Sequence, residues 1–359
     1  MKTKFLLLSA ALCSSVLASA QGLNVELTVG GNIDKTVFSQ LDSFSVANSL
    51  NMKDATILAA TVGGVEYPAN EIPDSAFMTK GYVNANGVFV FTGNKEVTSV
   101  VLPASITAIG TSAFNGTAAT AIDFSACTKL ETIKTYAFSD NKLEKIDLSG
   151  LSALKTIGKY AFYQTQTTSI VLDDCSALSA IDERGFCNNY FVTSTSFKGC
   201  TALKTIGNRA FLNLGKTSGD CGEIDLTPCT ALETIDECAF QSAKTKSVKF
   251  PASLKTIGAK AFNLASLIET ITFEGTTPPT LGATAFTAKI MSSATVFVPA
   301  GSEQAYKDAG FEKVQAIGTP VTAARMNAAA EGTAYDLNGR QAADNAKGVI
   351  IQNGQKYVK

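Results

Sequence analysis

The side chains able to do chemistry in this 359-residue chain are carboxylates, lysines and cysteines, because it has no histidine and no tryptophan. Without histidine, a Ser-His-Asp or Cys-His nucleophile and any His-ligated metal are excluded on this chain alone. Eight cysteines remain, with no CxxC pair among them, so a zinc site is not expected. Four of them, Cys127, Cys175, Cys200 and Cys229, each stand three residues before a recurring leucine (Leu130, Leu178, Leu203, Leu232). That shared phase makes them one column, and Leu151 fills the same slot in another copy, so the slot reads as apolar and inward. Buried free thiols are the expected state, since Cys packs as a small hydrophobe. A disulfide between neighbours such as Cys175 and Cys200 is within reach, but stacked side chains point in parallel. Cys187, Cys221 and Cys238 lie off the column.

The carboxylates suit binding better than catalysis. Asp123 and Asp147 hold equivalent positions in consecutive copies, yet Val171 ends the run. A calcium ion wants 6–8 oxygens, so no metal is expected there. A retaining glycosidase needs two carboxyl groups about 5–5.5 Å apart, whereas Glu131 and Glu233 stand four copies apart. Neither an enzyme nor a cofactor is expected. Lysines are scattered rather than interleaved with aromatics, so nucleic acid is not an expected partner either.

What positions these groups is a repeat. LKTIGKYAF (Leu154 to Phe162) recurs as LKTIGNRAF (Leu203 to Phe211) and LKTIGAKAF (Leu254 to Phe262). Weaker copies put the closing Phe at 114, 138, 162, 186, 211, 240, 262 and 286, in steps of 24, 24, 24, 25, 29, 22 and 24. A fixed period in this range marks stacked repeats. Lys145-Ile146-Asp147-Leu148 alternates with Ile146 and Leu148 inward, the mark of a short strand. Thr156-Ile157 gives a second strand, Gly158 a turn, and Ala161-Phe162 the corner. One such turn cannot close a core, but stacked turns can, each strand pairing with the turns on either side at ~4.8 Å. The fold class expected is a β-rich solenoid with short parallel strands and a buried ladder of eight Phe rings.

Outward strand positions are where a partner would dock. On the first strand they include Asp123, Lys145, Asp147, Ser169, Val171, Ser196, Glu223, Asp225 and Lys249, the candidate ligand-binding residues. On the second strand the outward run Ala108, Thr132, Thr156, Ala180, Thr205, Thr234, Thr256 reflects the β-propensity of an exposed ladder. The long step from Phe211 to Phe240 places a polar, Gly-rich loop, Gly215 to Gly222, on one edge. It reads either as a binding loop or as a tolerated insertion.

Residues 1–20 have a basic start, an apolar stretch and Ala18-Ser19-Ala20 before Gln21, the pattern of a secretory signal peptide. Cys13 offers a lipoprotein alternative. Residues 21–97 read as an N-terminal cap with degenerate repeats, in which Glu71 to Phe77 echoes the corner motif and Val88 to Phe91 a strand. The solenoid is expected over 98–298, a C-terminal cap over 299–318, a linker over 319–330 and a small β module over 331–359. Asn353-Gly354 in the last is a hairpin signal. Asn115-Gly116-Thr117 matches the glycosylation sequon. No other stretch is long and apolar enough to span a bilayer.

Val101-Leu102-Pro103 together with Leu154 to Phe162 resembles the unit of the BspA-like leucine-rich repeat family of bacterial surface proteins. Val296 to Gly310, VFVPAGSEQAYKDAG, is similar to the way that family closes. The tail YDLNGRQ…KGVIIQNGQKYVK resembles C-terminal segments of secreted Bacteroidetes proteins, some of them sorting signals. The resemblance implies a secreted or surface-exposed protein that adheres to a protein or glycan on host matrix or neighbouring cells. An envelope component binding a partner from the same cell is the alternative. It implies no catalytic residues.

Overall fold

A turn with two strands of two to four residues has too little surface to bury by itself, and the chain solves this by stacking. The computed structural model describes residues 3–7, 25–36, 49–78, 80–83, 89–92, 98–318, 334–336, 349–352 and 355–358. The second strands form one nine-stranded parallel sheet, from Glu71–Ile72 through Thr156–Ile157 to Thr280–Leu281. Its register keeps each Ile over the next, with Ile133 against Ile157 and Ile157 against Ile181. The threonines beside them stay half-exposed, as the period predicts.

The first strands form a parallel ladder in three pieces. It is interrupted between Ala121–Asp123 and Lys145–Asp147, and again between Ser194–Ser196 and Ile224–Asp225. At both interruptions Phe124 and Phe197 take the slot that Leu148 and Leu172 fill elsewhere. These rings turn edge-on to Phe138 and Phe211, 5.5 and 5.9 Å between centroids. The second interruption is also where the Gly215 to Gly222 insertion enters.

The corners are bonded as regularly as the strands. Phe77, Phe114, Phe138, Phe162, Phe186, Phe211, Phe240, Phe262 and Phe286 stack in one column at 4.9–5.2 Å. Each Phe from 77 to 262 donates its backbone N–H to the carbonyl before the next Phe, at 2.7–2.8 Å. Two further residues per corner adopt left-handed backbone and donate to the next turn in the same way. Tyr136 (φ 56°) donates to the Lys159 carbonyl and Asp140 (φ 57°) to that of Tyr163. Beneath the corners lie buried polar residues, of which fully buried Asn189 is satisfied on both sides: it accepts from the Thr165 N–H and hydroxyl and donates to the Phe162 and Phe186 carbonyls.

The position after each inner Ile alternates in size: Gly110, Lys134, Gly158, Asp182, Gly207, Asp236, Gly258. A Cβ on Gly158 would meet the Ile133 carbonyl at 2.9 Å, and one on Gly258 would meet the Asp236 carbonyl carbon and Glu237 nitrogen at 2.6 Å. The larger residues use the room. Lys134 reaches back across the Gly110 turn to pair with the buried carboxylate of Glu71.

At the N-terminal side, Ser49–Asn51 pairs with Ser99–Val101 and Phe77 stacks on Phe114, so residues 49–78 complete a turn of the stack. Lys80–Val83 and Phe89–Thr92 form an antiparallel pair between turns. Most of residues 1–20 lies outside the described residues. Within them Thr3–Leu7 forms a strand parallel to Val25–Val29. The C-terminal end is closed by Thr295–Val298, the helix Glu303–Asp308 and Lys313–Ala316. Buried Tyr306 packs on Phe273 and donates its hydroxyl to the Gly275 carbonyl at 2.8 Å. An additional helix, Ala288–Ser293, capped by the Thr287 hydroxyl, precedes them. Residues 319–330 and Asn353-Gly354 lie outside the described residues. The tail strands Ala334–Asp336, Val349–Gln352 and Gln355–Val358 form an antiparallel sheet whose register joins Gln352 to Gln355.

The seven cysteines of the described residues are free and buried. Cys175 and Cys200 donate to the Leu148 and Leu172 carbonyls of preceding turns, at 3.1 and 3.0 Å. Burial, helped by nearby carboxylates, pushes Cys127, Cys175, Cys200 and Cys221 up to about 12, and burial alone does the same for Cys187 against two arginines. Two outcomes follow. At pH 8 Ellman's reagent should label none of the seven in the folded protein and all of them in denaturant; rapid labelling of the folded chain contradicts this. The folded state also holds protons that the unfolded thiols release, so stability is full below pH 9 and declines as pH climbs toward 12.

Candidate binding surfaces

The first-strand ladder holds the nine candidate ligand residues, and the structure spends most of them internally. Asp123 accepts from the Ser125 N–H at 2.9 Å. Asp147 accepts from the Ser149 N–H and hydroxyl, at 3.1 and 2.6 Å, and from Lys145 at 2.7 Å. Burial pulls the Asp147 carboxyl up, but the bonds from Lys145 and Ser149 outweigh it and hold the group below its ordinary value. Asp225 accepts from the Thr227 N–H and hydroxyl at 3.0 and 2.7 Å. These are Asx turns that fix the strand exits. Glu223 accepts from Lys249 and Ser247, each at 3.0 Å, and that bond raises the Lys249 ammonium. The Ser196 hydroxyl donates to Asp173. Ser169 and Val171 are half-buried and face out of the same sheet. Asp123 and Asp147 fall in separate sheets, on either side of the first interruption. Among the described residues no three His, Cys, Asp or Glu side chains are placed to hold a metal ion.

The second strand has its own charge ladder, in which Lys155 pairs with Glu131 and Lys255 with Glu233 at 2.8 Å. Exposed pairs of this kind are screened by solvent and add little to stability. The Gly215 to Gly222 insertion is docked rather than loose. Thr217 donates to the Tyr190 carbonyl, the Ser218 hydroxyl to that of Val192, and Cys221 is buried beneath. Asn115 is buried at 6% exposure, so the folded corner does not offer its amide to a glycan.

A surface that sequence reasoning passed over lies on the corners. The second variable residue of each IGxxAF motif lies there, in the order Ser112, Tyr136, Tyr160, Arg184, Arg209, Cys238, Lys260, Thr284, and all but the buried Cys238 reach the surface. All have φ between 53° and 63°. This backbone costs an L-residue about 1–2 kcal/mol and favours Gly or Asn. Tyrosine and arginine are therefore not there for the backbone. Tyr136 and Tyr160 stack at 4.7 Å, Arg184 lies over the Tyr160 ring at 5.2 Å, and Tyr163 meets Tyr160 edge-on at 5.5 Å. A chain of amides continues the patch: Asn213 donates to Asn188 at 2.8 Å, and Asn188 to the Tyr163 hydroxyl at 3.1 Å. Phe191 stands 43% exposed nearby in sequence. Rigid Tyr and Arg side chains are the types that dominate binding energy at protein interfaces.

The profile of the BspA type leucine-rich repeat region matches residues 86–217 and 217–313, in six copies. The chain belongs to the BspA-type leucine-rich repeat family. This BspA-type solenoid is similar to a leucine-rich repeat protein from Bacteroides ovatus, at 17% identity and a TM-score of 0.43, over 75% of this chain and 69% of that one. It is also similar to the pneumococcal vaccine antigen PcpA, at 16% identity and a TM-score of 0.32, over 83% and 80%. A leucine-rich cell surface protein from Faecalibacterium prausnitzii matches at 20% identity and a TM-score of 0.31, over 65% of this chain and 49% of that one. No curated protein matches. No helix among the described residues is long and apolar enough to cross a membrane.

Proposed function

We propose that this BspA-type protein is secreted or displayed on the cell surface and mediates adhesion by binding a protein, or a glycan, of host matrix or a neighbouring cell. One observation carries the reading: the repeated Leu, Ile, Ala and Phe side chains are buried, and most of those that vary between copies reach the surface in columns along the stack. An invariant core with variable outer positions is how a solenoid builds an extended binding surface without altering its fold. The leader pattern of residues 1–20 supports export. The test is an array of matrix proteins and glycans probed with the chain lacking residues 1–20. Saturable binding to at least one component is expected. Absence of binding across the array, with the solenoid folded, overturns the reading.

A further inference from the structure

The aromatic stack on the corner column stops one position short. Arg184 covers one end, over Tyr160, and Tyr136 closes the other. In the turn before Tyr136 the same left-handed slot holds only Ser112, whose N–H donates to the Thr135 carbonyl just as that of Tyr136 donates to Lys159. The companion slot before Asp140 holds only Gly116. The surface therefore has a step. Ser112 and Gly116 form its floor, and the Tyr136 ring and the Asp140 carboxylate form its wall. Tyr136 is 38% exposed despite its stacked partner. Asp140 is exposed and stands on the same corner, next to Ser139, whose N–H donates to the Tyr136 carbonyl at 3.2 Å. The Ser139 hydroxyl, at 2.6 Å, is its side-chain partner. Lys134, on the turn of Tyr136, and Lys159, on the next turn, are held by Glu71 and Glu183. Among the described residues no lysine or arginine forms an ion pair with Asp140.

We propose that this step docks an arginine side chain of a protein partner. The guanidinium lies over the open face of Tyr136 and donates its N–H groups to the Asp140 carboxylate; Arg184 likewise combines a place over the Tyr160 ring with a donated bond, there to the Tyr160 hydroxyl. A planar cation satisfies ring and carboxylate together. A sugar would stack on the ring but leave the single carboxylate as its main polar contact. The proposal rests on the reading of this chain as a protein-binding module, and it names one contact that such binding uses.

The test uses the full chain with carbon-labelled tyrosine rings, followed by NMR. The probes are an acetylated Gly-Arg-Gly-Arg-Gly amide, its citrulline counterpart and a neutral glucose hexasaccharide. The Tyr136 signal is identified by its loss in Tyr136→Asn, which keeps a residue suited to the left-handed backbone. The arginine peptide should shift that signal saturably, with the citrulline peptide binding at least tenfold more weakly. Asp140→Asn should weaken the arginine peptide on the order of tenfold. Ser112→Tyr should do the same without removing any binding group, because it fills the step with a ring of a type the column already tolerates at Tyr136 and Tyr160. No shift, an equal response to citrulline, or a shift with the hexasaccharide instead overturns the proposal. Matrix-protein binding that persists while the arginine peptide fails would overturn this site alone and leave the adhesion reading standing.

Discussion

Phe186→Ala is expected to destabilise the solenoid by about 3–5 kcal/mol, measured by urea unfolding. The ring is fully buried and lies between Phe162 and Phe211, stacked 5.2 Å from each and almost parallel to both. Truncation removes its own transfer energy, opens a cavity, and deletes two stacking contacts worth about 0.5–1.5 kcal/mol apiece. The cavity cannot close by sliding a neighbour inward. The Phe186 N–H is bonded to the Ala210 carbonyl and the Phe162 N–H to that of Gly185, which fixes the spacing of the turns. In a linear stack each turn contacts only its neighbours, so one gap weakens both interfaces it touches. A loss below 1 kcal/mol would mean that the column is not packed as described.

Gly258→Ala should cost about 1–3 kcal/mol or more, although it adds a single methyl group. The added carbon would sit 2.6 Å from backbone atoms of Asp236 and Glu237. Those atoms cannot retreat while Gly258 donates to the Ile235 carbonyl at 2.7 Å and Cys238 donates to Ala259 at 2.9 Å. The requirement is for space between turns, since Gly258 is not among the glycines with positive φ. Gly30, with nothing within 4 Å of its would-be Cβ, is the control and should change stability little. Equal effects at both positions, read from urea midpoints, would refute the close approach of the turns.

The legible part of the fold was the part that repeats. Phe at steps near 24, Ile after Thr, and Leu three residues after Cys each gave a buried column, because stacking forces equivalent residues into equivalent environments. The closing segment Val296 to Gly310 does not repeat and was legible only through its resemblance to the way the family closes; in the structure it holds a strand followed by a short helix. The partner-facing part was harder. Asp123, Asp147 and Asp225 read as outward carboxylates, and outward they are. Yet each is followed two residues later by Ser125, Ser149 or Thr227, and that spacing is an Asx-turn signal that commits the carboxylate to its own chain. The corner column was missed for a different reason. Left-handed backbone is announced by Gly or Asn, and here it is held by Tyr136, Tyr160, Arg184 and Arg209, whose types argue for any other conformation. Only inter-turn bonding fixes them there. The reach of Lys134 to Glu71 was likewise hidden, since it crosses two turns over Gly110.

The central claim is that partner recognition resides in the outward, varying positions and not in the repeated core. The most direct measurement is binding to the matrix-protein and glycan array by the chain carrying Tyr136→Asn and Tyr160→Asn, beside the parent chain, with urea unfolding of both. The account predicts a parent that binds saturably and a variant that unfolds cooperatively at a similar urea concentration but binds at least tenfold more weakly. A variant that keeps its fold and its full binding, or a parent that binds nothing on the array, would contradict it.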